Sequence, residues 1–333
     1  MMKKISKKDM NRFIKSLLED YTVYAPVNTD GIFSFKPIDN FQGIDPDYQN
    51  SKKPPKEIFF PQSETMFEYE KGKVTSAEKV SRKRILLGIR PCDAKANLLL
   101  DNVFAGEDYQ DVYYINKREN TTIIGLGCRK PLSTCFCTSF GGGPFSKDGL
   151  DILLIDIGDK YIVDVVTDKG REILTNKFTE ASEEELKLAE KIKREAEERI
   201  KSEVKIEGVK EKLDTMFESS FWDKLSERCL GCAVCTYLCP TCHCFDIDDE
   251  AKDSQGRRVR NWDSCMFPLF TLQASGHNPR PTGKERMRQR VMHKFNYFIE
   301  NYKRAACAGC GRCILNCPVN IDIRKVLKEI LTG

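Results

Sequence analysis

The sequence has little of what enzymes commonly use for catalysis. Three histidines (His243, His277 and His293) and two tryptophans stand among 333 residues, and no acid–base pair is evident. No G-x-G-x-x-G follows an apolar run and no Walker loop occurs, so the fingerprints of dinucleotide and nucleoside triphosphate binding are missing. Nowhere do 18 apolar residues run together, which excludes a membrane-spanning helix. The opening MMKKISKKDMNRFIKSLLED lacks the apolar core of a signal peptide and has no twin arginine, so a cytoplasmic protein is expected. Charge of one sign is also scarce: 54 Lys and Arg face 50 Asp and Glu, giving +4, which does not by itself mark a nucleic-acid binder.

Cysteine, by contrast, is abundant. In a cytoplasmic chain fifteen cysteines point to metal ligands or catalytic thiols and not to disulfides. The length is too great for a single small ferredoxin and suits about two domains. Charge is unevenly placed: from Cys229 onward 16 Lys and Arg meet 10 Asp and Glu, so an anionic group is expected in the back third.

The front of the chain alternates strand-like and helix-like runs. Arg84 to Arg90 reads as a buried strand, followed by a helix through Ala94 to Phe104 that Pro91, Cys92 and Asp93 would start. Thr121 to Gly127 reads as a parallel neighbour that completes a βαβ unit. Tyr21 to Pro37, Glu57 to Phe60, and a hairpin of Asp151 to Ile157 with Tyr161 to Val166 read as further strands. Gly141 to Pro144 reads as a turn, not a phosphate cradle. Glu180 to Lys212 is dense in charge, with Ser182 and Glu185 at capping-box spacing and a narrow stripe at Ala189, Ile192, Ala196 and Ile200, as in a solvated connecting helix. Phe217, Phe221 and Leu225 then share one side of a helix. The class expected is α+β. An N-terminal mixed α/β domain (1–178) and charged linker helices (179–228) precede a helical ferredoxin-like domain (229–333) carrying two [4Fe-4S] clusters and a helical insertion.

Cys229, Cys232, Cys235 and Cys239-Pro240 follow the pattern C-x2-C-x2-C-x3-C-P, and Cys307, Cys310, Cys313 and Cys317-Pro318 repeat it. Three thiolates on a tight turn can each take one corner of an iron-sulfur cubane, while the fourth leaves on a helix and ligates the cluster of the other run. Cluster one is then Cys229, Cys232, Cys235 and Cys317, and cluster two is Cys307, Cys310, Cys313 and Cys239. The alternative, a pair of zinc sites, normally separates its cysteine pairs by a longer knuckle. Between the runs lie expected helices at Ser264 to Ala274 and Glu285 to Glu300, and Arg257, Arg258, Arg260, Arg280, Arg286, Arg288 and Arg290. These cations would either offset the anionic clusters and raise their potential, or form a solvated face. Few aromatic residues interleave Arg286 to Arg290, which speaks against nucleic acid.

Seven cysteines remain. Cys92 and Cys128 each follow one of the paired strands, so both thiols emerge at the carboxyl edge of the sheet, where open α/β sheets bind ligands. The loop after Cys128 supplies Cys135 and Cys137, and these four could converge on a third cluster. Cys242, Cys244 and Cys265 form a weaker set that could line a route between sites, and all seven could instead be small buried hydrophobes. His243 lies between two of them as a ligand, a hydrogen-bond donor or a packing group. No residue is assigned a catalytic role.

Several of these pieces together resemble one family. They are CLGCAVCTYLCPTCHCFDI from Cys229, Asn261 to Phe267, the Arg286 to His293 helix, the second cysteine run, Arg90-Pro-Cys-Asp93 and Cys135-Phe-Cys137. The family is that of dicluster iron-sulfur proteins which includes the beta subunit of soluble archaeal sulfhydrogenases and the A subunit of anaerobic sulfite reductase. The resemblance spans about Tyr21 to Val326. It implies an electron-transfer subunit between a flavin-containing NAD(P)H-oxidising partner and a catalytic subunit carrying nickel-iron or sirohaem. A different class, a stand-alone iron-sulfur redox sensor touching nucleic acid through its basic insertion, is the alternative.

Overall fold

A computed structural model describes residues 2–76, 80 and 82–332. The chain divides into two compact units that interleave in sequence. The first comprises residues 1–59, 79–202 and 308–310, and the second comprises 60–78, 203–307 and 311–333.

The first unit is built on an eight-stranded mixed sheet. From one edge its strands are Thr179–Glu180, Lys3–Ser6, Lys160–Val165, Ile152–Asp156, Thr121–Leu126, Arg84–Ile89, Thr22–Thr29 and Ile32–Ile38. The expected pairing of Arg84–Ile89 with Thr121–Leu126 is present and parallel, with Leu86 opposite Ile123. Both strands are buried along their whole length, which is why each reads as a continuous apolar run without alternation. The helix Pro91–Phe104 starts at once after the first of them, with Arg90 as N-cap and Pro91, whose fixed φ suits the first helical turn, just inside. The Asp151 to Val166 hairpin forms as expected about Gly158.

Two expectations for this unit are corrected. Glu57 to Phe60 is not a strand: Pro55–Ile58 winds into a short 3-10 helix, which Pro55 permits because its missing N–H falls on the first turn. The charged helix, Glu183–Glu198, does carry the Ser182–Glu185 capping box, yet it is no solvated connector. Ala189, Ile192 and Ala196 are buried, and Glu185 pairs with Lys4 and Lys160 at 2.8 Å each, tying the helix to the sheet.

The second unit contains a four-stranded antiparallel sheet in the order Phe245–Lys252, Gln255–Trp262, Ser63–Glu70, Lys73–Ser76. The α+β class stands, but the insertion expected to be helical opens with this hairpin. Its strands escaped notice because they show no apolar alternation; cross-strand ion pairs hold them instead, Asp249 with Arg258 and Glu250 with Arg257, each at 2.7 Å. Glu64, on the strand from the front of the sequence, meets Arg260 at 2.6 Å with both side chains buried. Arg260 also lies over the rings of Phe60 and Phe245, and Trp262 stacks on Phe60 at 5.7 Å. Of the expected insertion helices, Ser264 to Ala274 is reduced to the 3-10 turn Pro268–Thr271, whereas Gly283–Met292 forms and continues through a π-helical segment, His293–Tyr297, into Phe298–Tyr302. Near Phe217 the buried aromatic is Trp222, its indole N–H donating to the Met216 carbonyl, while Phe217 lies outside beneath the Arg288 guanidinium.

The Arg260–Glu64 pair can be tested by charge removal. Glu64→Leu should lower stability by about 3 kcal/mol by leaving a buried cation alone, and adding Arg260→Met should restore most of the loss. Urea unfolding of the cluster-loaded protein measures both. A double variant no more stable than the single would show that the pair does not act as a unit.

Candidate iron-sulfur centres

The two cysteine runs adopt the same local backbone. In each, the residue before the second cysteine and the residue after it are left-handed: Gly231 and Ala233 at φ 66° and 60° in the first run, Gly309 and Gly311 at φ 63° and 74° in the second. These reversals curl the chain so that successive thiols face inward. A short helix follows each, Val234–Tyr237 holding Cys235 and Arg312–Leu315 holding Cys313. Ala233 takes a conformation that costs a residue with a Cβ about 1 kcal/mol, strain tolerated where the loop shape is needed.

In the second unit, Cys229, Cys232, Cys235 and Cys317 line one cavity together with Met266, Met287 and Arg290, and Cys313 also reaches its wall. The fourth cysteine of the second run thus lies with the first three of the first. Backbone N–H groups aim at two of these sulfurs, Gly231 at Cys229 (3.4 Å) and Ile321 at Cys317 (3.2 Å), as suits thiolates carrying negative charge.

Cys239, the fourth cysteine of the first run, lies beside the start of the second. The Lys294 ammonium donates to its sulfur at 3.2 Å, to Thr241 Oγ1 at 3.0 Å and to the Ala306 carbonyl at 2.9 Å, next to Cys307. Lys294 sits in the π-helical segment, and Arg290 lies one turn before it; both are buried. Burial should strip their protons, but for Arg290 the nearby sulfurs of Cys235, Cys313, Cys242 and Cys239 outweigh it. For Lys294, Cys239, Cys242 and Cys307 do so, and both groups are held above their ordinary values. Two buried cations beside these sulfurs offset part of the charge of about −2 that each oxidised cubane carries with its four thiolates.

Of the seven arginines singled out, Arg290 alone is placed among the cluster cysteines by these contacts. Arg257, Arg258 and Arg260 are neutralised by Glu250, Asp249 and Glu64. Arg286 donates to the Arg280 and Pro281 carbonyls, and Arg288 to the Phe217 carbonyl. Cys244 and Cys265 pack with Ala233, Met266 and Met287 in an apolar cluster that also takes in Cys229 and Cys235. There a hydrogen bond from the Cys265 thiol to Cys244, together with burial, holds that thiol well above its ordinary value. Cys242 lies within electrostatic reach of Arg290 and Lys294. The His243 ring meets the Thr241 carbonyl at 3.1 Å and packs 5.2 Å from His293, whose protonation burial pushes down to about 3. The signal that sequence reading missed was Lys294, one of many lysines, set apart only by the helix that aims it.

Among the described residues no three His, Cys, Asp or Glu side chains meet closely enough for a single metal ion. Fold and site together define a ferredoxin-type dicluster protein. The 4Fe-4S dicluster domain family matches residues 228–321, and the chain holds two [4Fe-4S] clusters. Sulfhydrogenase 2 subunit beta of Pyrococcus furiosus is 35% identical over 325 residues, 96% of each chain. The protein belongs to this family of sulfhydrogenase beta subunits, iron-sulfur proteins of electron transfer. No solved structure matches it significantly. Among the described residues no helix is long and apolar enough to cross a membrane.

The role of Lys294 is open to direct measurement. Lys294→Met should lower the reduction potential of the cluster bound through Cys239, on the order of 100 mV for a unit charge a few ångströms away in the protein interior. Lys294→Arg should restore most of it. A potentiometric titration followed by electron paramagnetic resonance reads the shift, and an unchanged potential would limit Lys294 to packing.

Proposed function

We propose that this chain is the relay subunit of a cytoplasmic multisubunit oxidoreductase. It passes electrons between a flavin-containing NAD(P)H-oxidising subunit and a catalytic subunit. The likeness to a sulfhydrogenase beta subunit favours a nickel-iron hydrogenase over a sirohaem protein as that catalytic partner. Each cluster, when bound, takes up and releases one electron. The chain's own residues hold the sulfurs in place, shield them, and set the potential with Arg290 and Lys294. The observation that carries the reading is the placement of Cys317 with Cys229, Cys232 and Cys235, beside the Lys294–Cys239–Ala306 contacts, which supports crossed ligation. Crossing locks the two clusters at one fixed spacing. The sensor alternative loses support, because Arg257, Arg258 and Arg260 are already paired.

Two experiments address this. Cys239→Ala should weaken the cluster ligated by Cys307, Cys310 and Cys313 and spare the Cys229 cluster; loss confined to the latter would refute crossing. Anaerobic purification of a tagged chain from its own cells should bring down a flavoprotein and a hydrogenase. That complex should lose NAD(P)H-linked turnover, and keep dye-linked hydrogenase activity, when this subunit is removed. A lone monomer that shifts duplex DNA at physiological salt would sink the relay reading.

A further inference from the structure

The first unit contains a second cysteine-lined cavity, which the dicluster domain, residues 228–321, does not include. Cys92, Cys128, Cys135 and Cys137 line it, with Arg90 and Lys130, and Cys310 also reaches its wall. We propose that it binds a third iron-sulfur cluster, a [4Fe-4S] centre ligated by Cys92, Cys128, Cys135 and Cys137.

Several features bring these thiols together. The parallel strands Arg84–Ile89 and Thr121–Leu126 end side by side, and Cys92 and Cys128 follow them at the carboxyl edge. Cys135 and Cys137 flank Phe136, whose ring is buried and whose N–H donates to the Gly309 carbonyl at 2.9 Å. That anchor turns the C-x-C pair about a fixed residue, so that both cysteines reach the cavity despite the single residue between them. The approach depends on glycine at 309, where a Cβ would fall 2.5 Å from the Phe136 carbonyl oxygen and 2.6 Å from Cys137 backbone atoms. Directly after Cys137, a 3-10 turn closes on left-handed Gly141, and Gly142 donates back to the Cys137 carbonyl at 3.2 Å, holding the loop in shape.

The lining matches as well. This cavity and that of the Cys229 run are each rimmed by five cysteines and an arginine, the fifth being Cys310 here and Cys313 there. Arg90 is buried and braced by the carbonyls of Gln49, Tyr48, Leu126 and Gly127, with its guanidinium over the Tyr48 ring. It is therefore a fixed positive charge beside Cys128, as Arg290 is beside Cys235. Cys92 lies in the first turn of a 14-residue helix, whose N-terminal dipole also favours negative charge. On assembly the four thiols release four protons to solvent, and four thiolates on a core of charge +2 leave a site of charge −2. Zinc is the other occupant four cysteines could take, and metal analysis separates the two.

The test is metal analysis of the full-length protein prepared without oxygen, before and after substitution. Wild type should carry about twelve irons and twelve acid-labile sulfides per chain, and Cys128→Ser should carry about eight of each. Cys92→Ser should do the same, and both should retain the two ferredoxin-type resonance signals, which separates this site from the two described above. Eight irons in fully loaded wild type, eight irons with one zinc, or no change in iron and spectra in either variant would each overturn the proposal.

Discussion

Eight thiolates and two anionic inorganic cores must be kept inside folded protein without water to shield them, and the arrangement around the cysteine runs follows from that constraint. A cluster of charge about −2 in the interior costs several kilocalories per mole unless cations and N–H dipoles stand beside it. The helix through Gly283–Met292 meets the need with Arg290 and, one turn on, Lys294. The π-helical segment is where the second cation sits. Such wide turns cost regular hydrogen bonding and are found mostly where a side chain has to be aimed, and here it aims an ammonium at Cys239 and Thr241.

Much of the site was legible in the residue order. A pattern as demanding as C-x2-C-x2-C-x3-C-P, written twice, already marks a dicluster domain, because a cubane limits the loop to few shapes. The parallel strand pair was legible for a similar reason: both strands are buried on two faces and so carry an unbroken apolar run, Ile85 to Ile89 in one and Ile123 to Leu126 in the other, each with one glycine. The hairpin Phe245–Lys252 with Gln255–Trp262 was not legible. Its Asp–Arg and Glu–Arg pairs form only once the register is set, and Arg260 reaches Glu64 across 196 positions of chain. Nor did local sequence reveal that Glu183–Glu198 packs, since a three-residue stripe of Ala and Ile looks the same on a solvated helix as on one pinned by Lys4 and Lys160.

The arginines show how pattern and partner differ as evidence. Seven of them between the runs suggest a basic surface, yet three carry a carboxylate partner in the same sheet and two are engaged with backbone carbonyls. The cations placed beside cluster cysteines are Arg290 and Lys294, set apart by burial and not by abundance.

The placement of Cys317 among the first run's thiols has a bearing on how the protein is made. On the proposed crossed ligation each run would borrow a corner from the other, so damage at one would be shared: an oxidised Cys317 or Cys239 would open a cluster whose other ligands lie 68 to 88 residues away in sequence. Loading would then resemble closing a clasp with two halves, and a chain stripped of one cluster would already have loosened the other.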